Sequence, residues 1–190
     1  MSFQVEKTYI EGVLVLTPKV FKDQRGEFFE AYNSRDLKVI GLPSLFVQDN
    51  YSISHRGVIR GLHYQTGNYE QDKLVRCTSG AIFDVALDLR AESPTFGRWF
   101  GIELSFRNRK QLFIPKGCAH GLQALEEGSQ ACYKITSHYA PDFEYCINPL
   151  DPTLKINWPI QNGIILSSKD AEAPSWEQVK SSMTYNLGMR

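Results

Sequence analysis

Short runs rich in Val, Ile, Phe and Tyr recur along the chain between breaks at Gly, Pro, Asn and Asp, and nearly all have the length of a strand rather than a helix. Strands are predicted over residues 13–16, 27–32, 45–47, 58–64, 73–77, 81–89, 99–104, 111–114, 121–125, 131–136 and 163–166. Within 81–89 the period is two: Phe83, Val85, Leu87 and Leu89 share one face, and Asp84, Ala86 and Asp88 the other. Helical signals are few. One short helix is predicted over 35–40, stopped by Gly41 and Pro43; another follows Ser175, where Ser175 and Gln178 have capping-box spacing. Many short strands without a βαβ rhythm predict an all-β fold, sandwich or barrel, with a few short peripheral helices. No repeat or linker divides residues 1–190, which read as a single domain, with the last ~10 residues, SSMTYNLGMR, as a loose tail.

A chain of 190 residues can bury a core around a ligand cavity. Lys plus Arg and Asp plus Glu both total 21, so overall charge calls for neither nucleic acid nor a membrane surface. The densest basic run, Arg107, Arg109 and Lys110, reads as a solvated turn. Cys77, Cys118, Cys132 and Cys146 form no C-x-x-C pair, and the opening MSFQVEKTYIEG lacks the apolar run of a signal peptide. Reduced thiols in a cytoplasmic protein are expected, and no apolar stretch is long enough to span a bilayer.

The polar residues that interrupt strand-like segments are the candidate chemistry: Arg60, His63, Lys73, Asp84, His120, Tyr133 and Asp170. Each has a plain alternative, since a lone His beside a Gly is more often structural than basic. Arg60 and His63 in RGLHYQ lie three apart and point to opposite faces of a strand unless a bulge at Gly61 re-aims them. Spacing alone leaves two readings equal: a cation for phosphate beside a base, or a surface Arg and an inward His. PKGCAHG reads as a turn entering a strand, with His120 at a rim and Asp84 as its orienter. His55, His63, His120 and His138 include no H-x-H pair, so no metal is expected. Dinucleotide, P-loop and nucleophile-elbow motifs are missing from the sequence.

In their order and separation, FKDQRGEFFE, FVQDNYSIS, GVIRGLHYQ, DKLVR, FDVALDLRAESPTFG, LFIPKGCAHG, INWP and LSSKDAEAP closely resemble the dTDP-4-dehydrorhamnose 3,5-epimerase family of the cupin superfamily. The resemblance implies a cupin jelly-roll barrel, an isomerase without a cofactor, a homodimer, and a dTDP-linked 4-keto-6-deoxy sugar as substrate. It implies His63 as general base, Asp170 as its orienting carboxylate, Tyr133 as general acid and Lys73 beside the keto oxygen. Asp84 and His120 resemble a second hydrogen-bonded pair lining the site. Arg25, Glu30, Gln48, Asp49, Asn50, Arg60, Glu144 and Lys169 resemble nucleotide- and sugar-binding positions. Tyr139 matches an aromatic that stacks on thymine, and Phe28 lies in a segment that relatives extend into the partner subunit.

The sequence departs from the family at FEYCINPLDP. There Tyr145 and Cys146 are larger than the usual small pair and Asn148 replaces an aromatic, which bears on the fit around the ligand and on double epimerisation. Three rivals remain open: an epimerase acting at C3 or C5 alone or on another keto sugar, a sugar-nucleotide-binding cupin without turnover, and a metal-dependent cupin oxygenase.

Overall fold

The computed structural model describes residues 2–187. Its strands are β1 (Phe3–Lys7), β2 (Leu14–Pro18), β3 (Phe21–Asp23), β4 (Gly26–Phe28), β5 (Gln48–Ser54), β6 (Ile59–Gln65), β7 (Lys73–Ser79), β8 (Ala81–Asp88), β9 (Trp99–Ser105), β10 (Gln111–Ile114), β11 (Cys118–Ala124), β12 (Ser129–Ile135) and β13 (Glu144–Cys146). The helices are α1 (Ser34–Val39), α2 (Ser168–Ala171) and α3 (Trp176–Leu187). One sheet runs β1-β2-β10-β7-β12-β5, the other β13-β6-β11-β8-β9, and β3 with β4 forms a separate hairpin. Two antiparallel sheets with this crossed order make the jelly roll that the resemblance implied.

The two sheets face each other across an apolar cluster. Val15, Val75, Leu112, Ile114 and Ala131 come from the six-stranded sheet, and Ile82, Ala86, Leu104 and Leu122 from the other. Alternation along β8 holds as predicted: Ala86 enters this interior, while Val85, Leu87 and Leu89 pack outward with Leu154, Trp158, Trp176 and Val179. The five-stranded sheet is therefore apolar on both faces. On the six-stranded sheet, Leu37 of α1 joins Phe3, Leu16, Leu74 and Phe113, while Tyr51 and Ile53 on β5 stay exposed.

Both helix readings hold. Asn33 caps α1, its side-chain oxygen accepting from the Arg35 and Asp36 amides. The Ser175 amide donates to Gln178 Oε1 and the Gln178 amide to Ser175 Oγ, which is the capping box ahead of α3. The stretch expected as a loose tail is helical as far as Leu187; residues 188–190 lie outside the described residues. Other expectations need correction. The strand foreseen at 45–47 lies at Gln48–Ser54, that at 27–32 shrinks to Gly26–Phe28, and 163–166 supplies only a parallel bridge from Ile165 to Val58. His120 sits in the middle of β11, buried, rather than at a rim.

At Gly61 the alternation of β6 gains one residue. His120 pairs with His63 and Leu122 with Arg60, so two steps on β11 oppose three on β6. Leu62 and Tyr64 still point outward into the Trp158 cluster, and Arg60 and His63 both line the interior cavity. The turn requires glycine: Gly61 has φ +132°, and a Cβ there would lie 2.5 Å from Gly121 Cα and 2.8 Å from the His120 carbonyl oxygen. Gly61→Ala is expected to cost roughly 1–3 kcal/mol of unfolding free energy, read from a denaturant melt; a midpoint equal to that of the parent would remove this account of the bulge.

Candidate active site

A cavity of about 560 Å³ opens between the sheets, within the roughly 300–1,000 Å³ typical of small-molecule sites. The five-stranded sheet contributes Arg60, His63 and His120 to its lining, the six-stranded sheet Asn50, Ser52 and Tyr133, and the C-terminal segment Lys169 and Asp170. His63 and Tyr133 thus stand on opposite walls.

His63 Nε2 and Asp170 Oδ1 are 2.6 Å apart. Asp170 belongs to α2, where Ser167 Oγ accepts from the Asp170 amide and holds the turn in place. Burial works against the Asp170 carboxylate, yet the His63 contact, with help from Ser167 and the Gly61 backbone, keeps it below its ordinary value. An ionised Asp170 accepts a hydrogen bond from Nε2–H and leaves Nδ1 of His63 as the basic nitrogen. Tyr133, opposite, is largely buried; burial pushes its phenol up, with Arg60 pulling the other way. Its hydroxyl has no hydrogen-bond partner among the described residues.

Behind these groups lie Lys73, Asp84 and His120, all buried. Lys73 Nζ donates to the His63 carbonyl oxygen at 3.3 Å, and burial brings its ammonium down to about 8 against the attraction of Glu144 and Asp84. His120 Nε2 lies 2.8 Å from Asp84 Oδ1. Burial lowers the His120 value, while Asp84 opposes that shift. Asp84 Oδ2 is buried without a partner.

Around the lining residues Lys169 and Asn50, Tyr139 donates its hydroxyl to Glu144 Oε2 at 3.2 Å and its amide to Gln48 Oε1 at 3.1 Å. Lys169 pairs with the same Glu144 oxygen, and Gln48 Nε2 donates to Asn50 Oδ1 at 2.8 Å. Arg60 Nε donates to Ser54 Oγ at 3.0 Å. Gln48, Asp84, Tyr139 and Glu144 do not line the cavity but are bonded into the network around it; four expected binding positions are in neither. Asp49 turns to the other face of β5 and pairs with Lys134, because alternation sends its neighbours inward. Arg25 and Phe28 lie on the β3–β4 hairpin and Glu30 just after it; Arg25 is paired with Asp23, Phe28 is 68% exposed, and Glu30 accepts from Asn33 and Ser2.

The departures at FEYCINPLDP are accommodated. Tyr145 stacks outward on Tyr64 with ring centroids 5.7 Å apart, while Cys146 pairs in register with His63. Asn148 accepts from the Leu150 amide and donates to the Ala171 carbonyl. Sequence reasoning missed Ser52, Ser167, Val58, Ile165 and Leu166, which line the cavity; Ser167 carried a readable signal, the N-cap spacing of S-x-x-D. Among the described residues no group of three or more His, Cys, Asp or Glu side chains is arranged to hold a metal ion. All four cysteines are free, and no described helix is long and apolar enough to cross a membrane.

A family model described as dTDP-4-dehydrorhamnose 3,5-epimerase matches residues 7–178. The protein of that name from Salmonella typhimurium is 50% identical over 175 residues, 92% of this chain and 96% of its own. A dTDP-6-deoxy-D-glucose-3,5-epimerase from Legionella pneumophila, solved in complex with dTDP-4-keto-L-rhamnose, superposes with a TM-score of 0.89 at 42% identity, covering 95% of this chain and 96% of that one. A 3'-monoepimerase from Streptomyces bikiniensis, in complex with dTDP-quinovose, gives a TM-score of 0.83 at 30% identity, over 92% and 96% of the two chains.

The buried ammonium leaves a pH signature on stability. Folding lowers the Lys73 value from 10.5 to about 8, so the charged form weakens the fold. The penalty is complete below about pH 8 and is relieved as the pH rises from about 8 to 10.5, where only the unfolded chain still binds that proton. Lys73→Met is expected to raise the unfolding free energy near pH 7 by on the order of 2 kcal/mol, a gain that shrinks toward pH 10. Denaturant melts at the two pH values check this, and a loss of stability at the lower one would contradict it.

Proposed function

The chain belongs to the dTDP-4-dehydrorhamnose 3,5-epimerase family, and on that premise we propose that it converts dTDP-4-dehydro-6-deoxy-D-glucose to dTDP-4-dehydro-L-rhamnose by inverting C5 and C3 in turn. The observation that carries this is an imidazole and a phenol facing one another across a cavity of sugar size, with a buried ammonium behind the imidazole.

A ketone at C4 acidifies the hydrogens on C3 and C5, because removing either leaves an enolate whose charge rests on oxygen. The substrate supplies its own electron sink, and the reaction asks for no cofactor. Nδ1 of His63 removes the proton, with Asp170 fixing the tautomer and stabilising the imidazolium. Tyr133 returns a proton from the other face and the centre inverts. A base or acid so placed contributes roughly 10²–10⁴-fold in rate. Lys73 meets the oxygen on which charge develops, an interaction stronger in a dry site than in water, so its loss lowers kcat more than it raises KM.

Arg60 and Lys169 meet the diphosphate, and Gln48, Asn50 and Glu144 hold the nucleotide and sugar. Tyr139 stacks on the base. Arg25, Phe28 and Glu30 reach a cleft in a homodimer, where the exposed hairpin of one protomer covers the cavity of its partner. The exposed Tyr51 and Ile53 on the uncovered half of the six-stranded sheet suit the same assembly. Residues 1–190 act as one domain. With four free thiols and a nucleotide-sugar substrate, the protein works in the cytoplasm.

Incubation with substrate in D2O tests the reading: over repeated turnovers the wild-type protein is expected to place deuterium at both C3 and C5. Uptake at one carbon alone assigns it to the single-site epimerases, and uptake at neither removes the enzymatic reading. His63→Asn is expected to abolish exchange at both positions while leaving the melting curve intact. Tyr133→Phe is expected to exchange without efficient inversion, because the base remains and the acid on the far face does not; normal inversion by this variant would exclude Tyr133 as the acid.

A further inference from the structure

We infer that His120 returns to Tyr133 the proton that Tyr133 gives up, carrying it from the base wall of the cavity to the acid wall. The inference rests on the epimerase reading above and follows from proton balance. Each inversion moves one proton from carbon to His63 and one from the Tyr133 oxygen to carbon, leaving an imidazolium and a phenolate. Before the same pair can act on the second carbon, a proton has to leave His63 and another has to arrive at Tyr133. With a sugar filling the cavity, that transfer cannot depend on bulk water reaching a largely buried phenol. Burial also disfavours the phenolate, so the return is downhill.

His120 touches both walls. It is the cross-strand partner of His63 on adjacent strands, where residues in register stand roughly 5 Å apart at Cβ. Its ring also meets that of Tyr133 edge-on across the sheets, with centroids 5.8 Å apart at 66°. Nε2 of His120 is held by Asp84, which leaves Nδ1 to take and give the proton.

Asp84 is fully buried, and its second oxygen has no hydrogen-bond partner among the described residues, so its one side-chain hydrogen bond goes to this ring. That attraction supports a transient imidazolium, while burial keeps the ring from retaining it. The step is a plain proton transfer. The proton leaves Nδ1 of His63, bonds to Nδ1 of His120 while Nε2–H stays on Asp84, and then passes to the phenolate oxygen. No electrons change hands and no co-reactant is needed.

The test follows inversion and deuterium uptake at C3 and C5 separately, by NMR, with the full-length protein and dTDP-4-dehydro-6-deoxy-D-glucose in D2O. His120→Gln is expected to slow the second inversion at least about ten-fold more than the first, and added imidazole is expected to restore the ratio. Asp84→Asn, which keeps the ring and removes the charge, should move the ratio in the same direction. Equal slowing of both inversions without rescue by imidazole would mean that His120 only packs or binds, and would overturn the relay. The unaltered protein gives an independent reading: the relay hands the hydrogen taken from the first carbon through His120 and Tyr133 to the second, so in a single turnover the second carbon should gain less deuterium than the first, and equal uptake overturns the relay. Wild-type protein that exchanges neither carbon sinks the epimerase reading instead, so the two failures are distinguishable.

Discussion

A strand offers its sheet's interior only every second side chain, and this limits how a barrel of short strands can furnish a cavity. In this protein the limit is met by one extra residue in β6. The offset at Gly61 turns Arg60 and His63 to the same wall, while Leu62 and Tyr64 keep their places in the outer cluster around Trp158 and Trp176. A simple slip of register would have exchanged the two faces wholesale, placing Leu62 in the cavity and His63 among the tryptophans. The bulge changes one position without disturbing the others, and the absence of a side chain on both Gly61 and Gly121 lets the two strands stay paired at that point.

The interior so furnished is electrostatically unfavourable. Lys73, Asp84, His120 and Asp170 are all buried, and polar groups removed from water are tolerated only when bonded or compensated. The pairs Asp170–His63 and Asp84–His120 supply part of that compensation, and three apolar clusters on three different faces of the sheets supply the rest. The same desolvation that weakens the fold strengthens each charge's hold on a ligand, because a low local dielectric magnifies both effects.

Much of the fold was legible because most strands have an ordinary pattern. The run from Phe83 to Leu89 alternates as a two-faced strand should, and the caps at Asn33 and Ser175 follow from local hydrogen bonding. The strand β5 was misplaced for a physical reason: it is inverted, with Gln48, Asn50 and Ser52 inward and Tyr51 and Ile53 outward. Apolar alternation therefore points to the residues just before it, 45–47. Gly and Pro around His120 predict a turn and a rim position, yet β11 runs straight through. The alternative at Arg60 and His63 stayed open because spacing does not reveal a bulge. The pairing of His63 with Asp170 spans 107 residues and carries no local signal; the roles assigned to site residues came from family resemblance, not from pattern.

That long-range pairing places the orienting carboxylate on the four residues Ser168–Ala171. A helix of a single turn has almost no cooperativity of its own, so α2 stays wound through the Ser167 cap and the bond from Asn148 to Ala171. The sheets do not depend on it. Fraying of this turn releases the imidazole from its anchor while every ladder of the barrel stays intact, so the protein can lose its chemistry well before it loses its shape, and circular dichroism would overstate how much of a warmed sample still works.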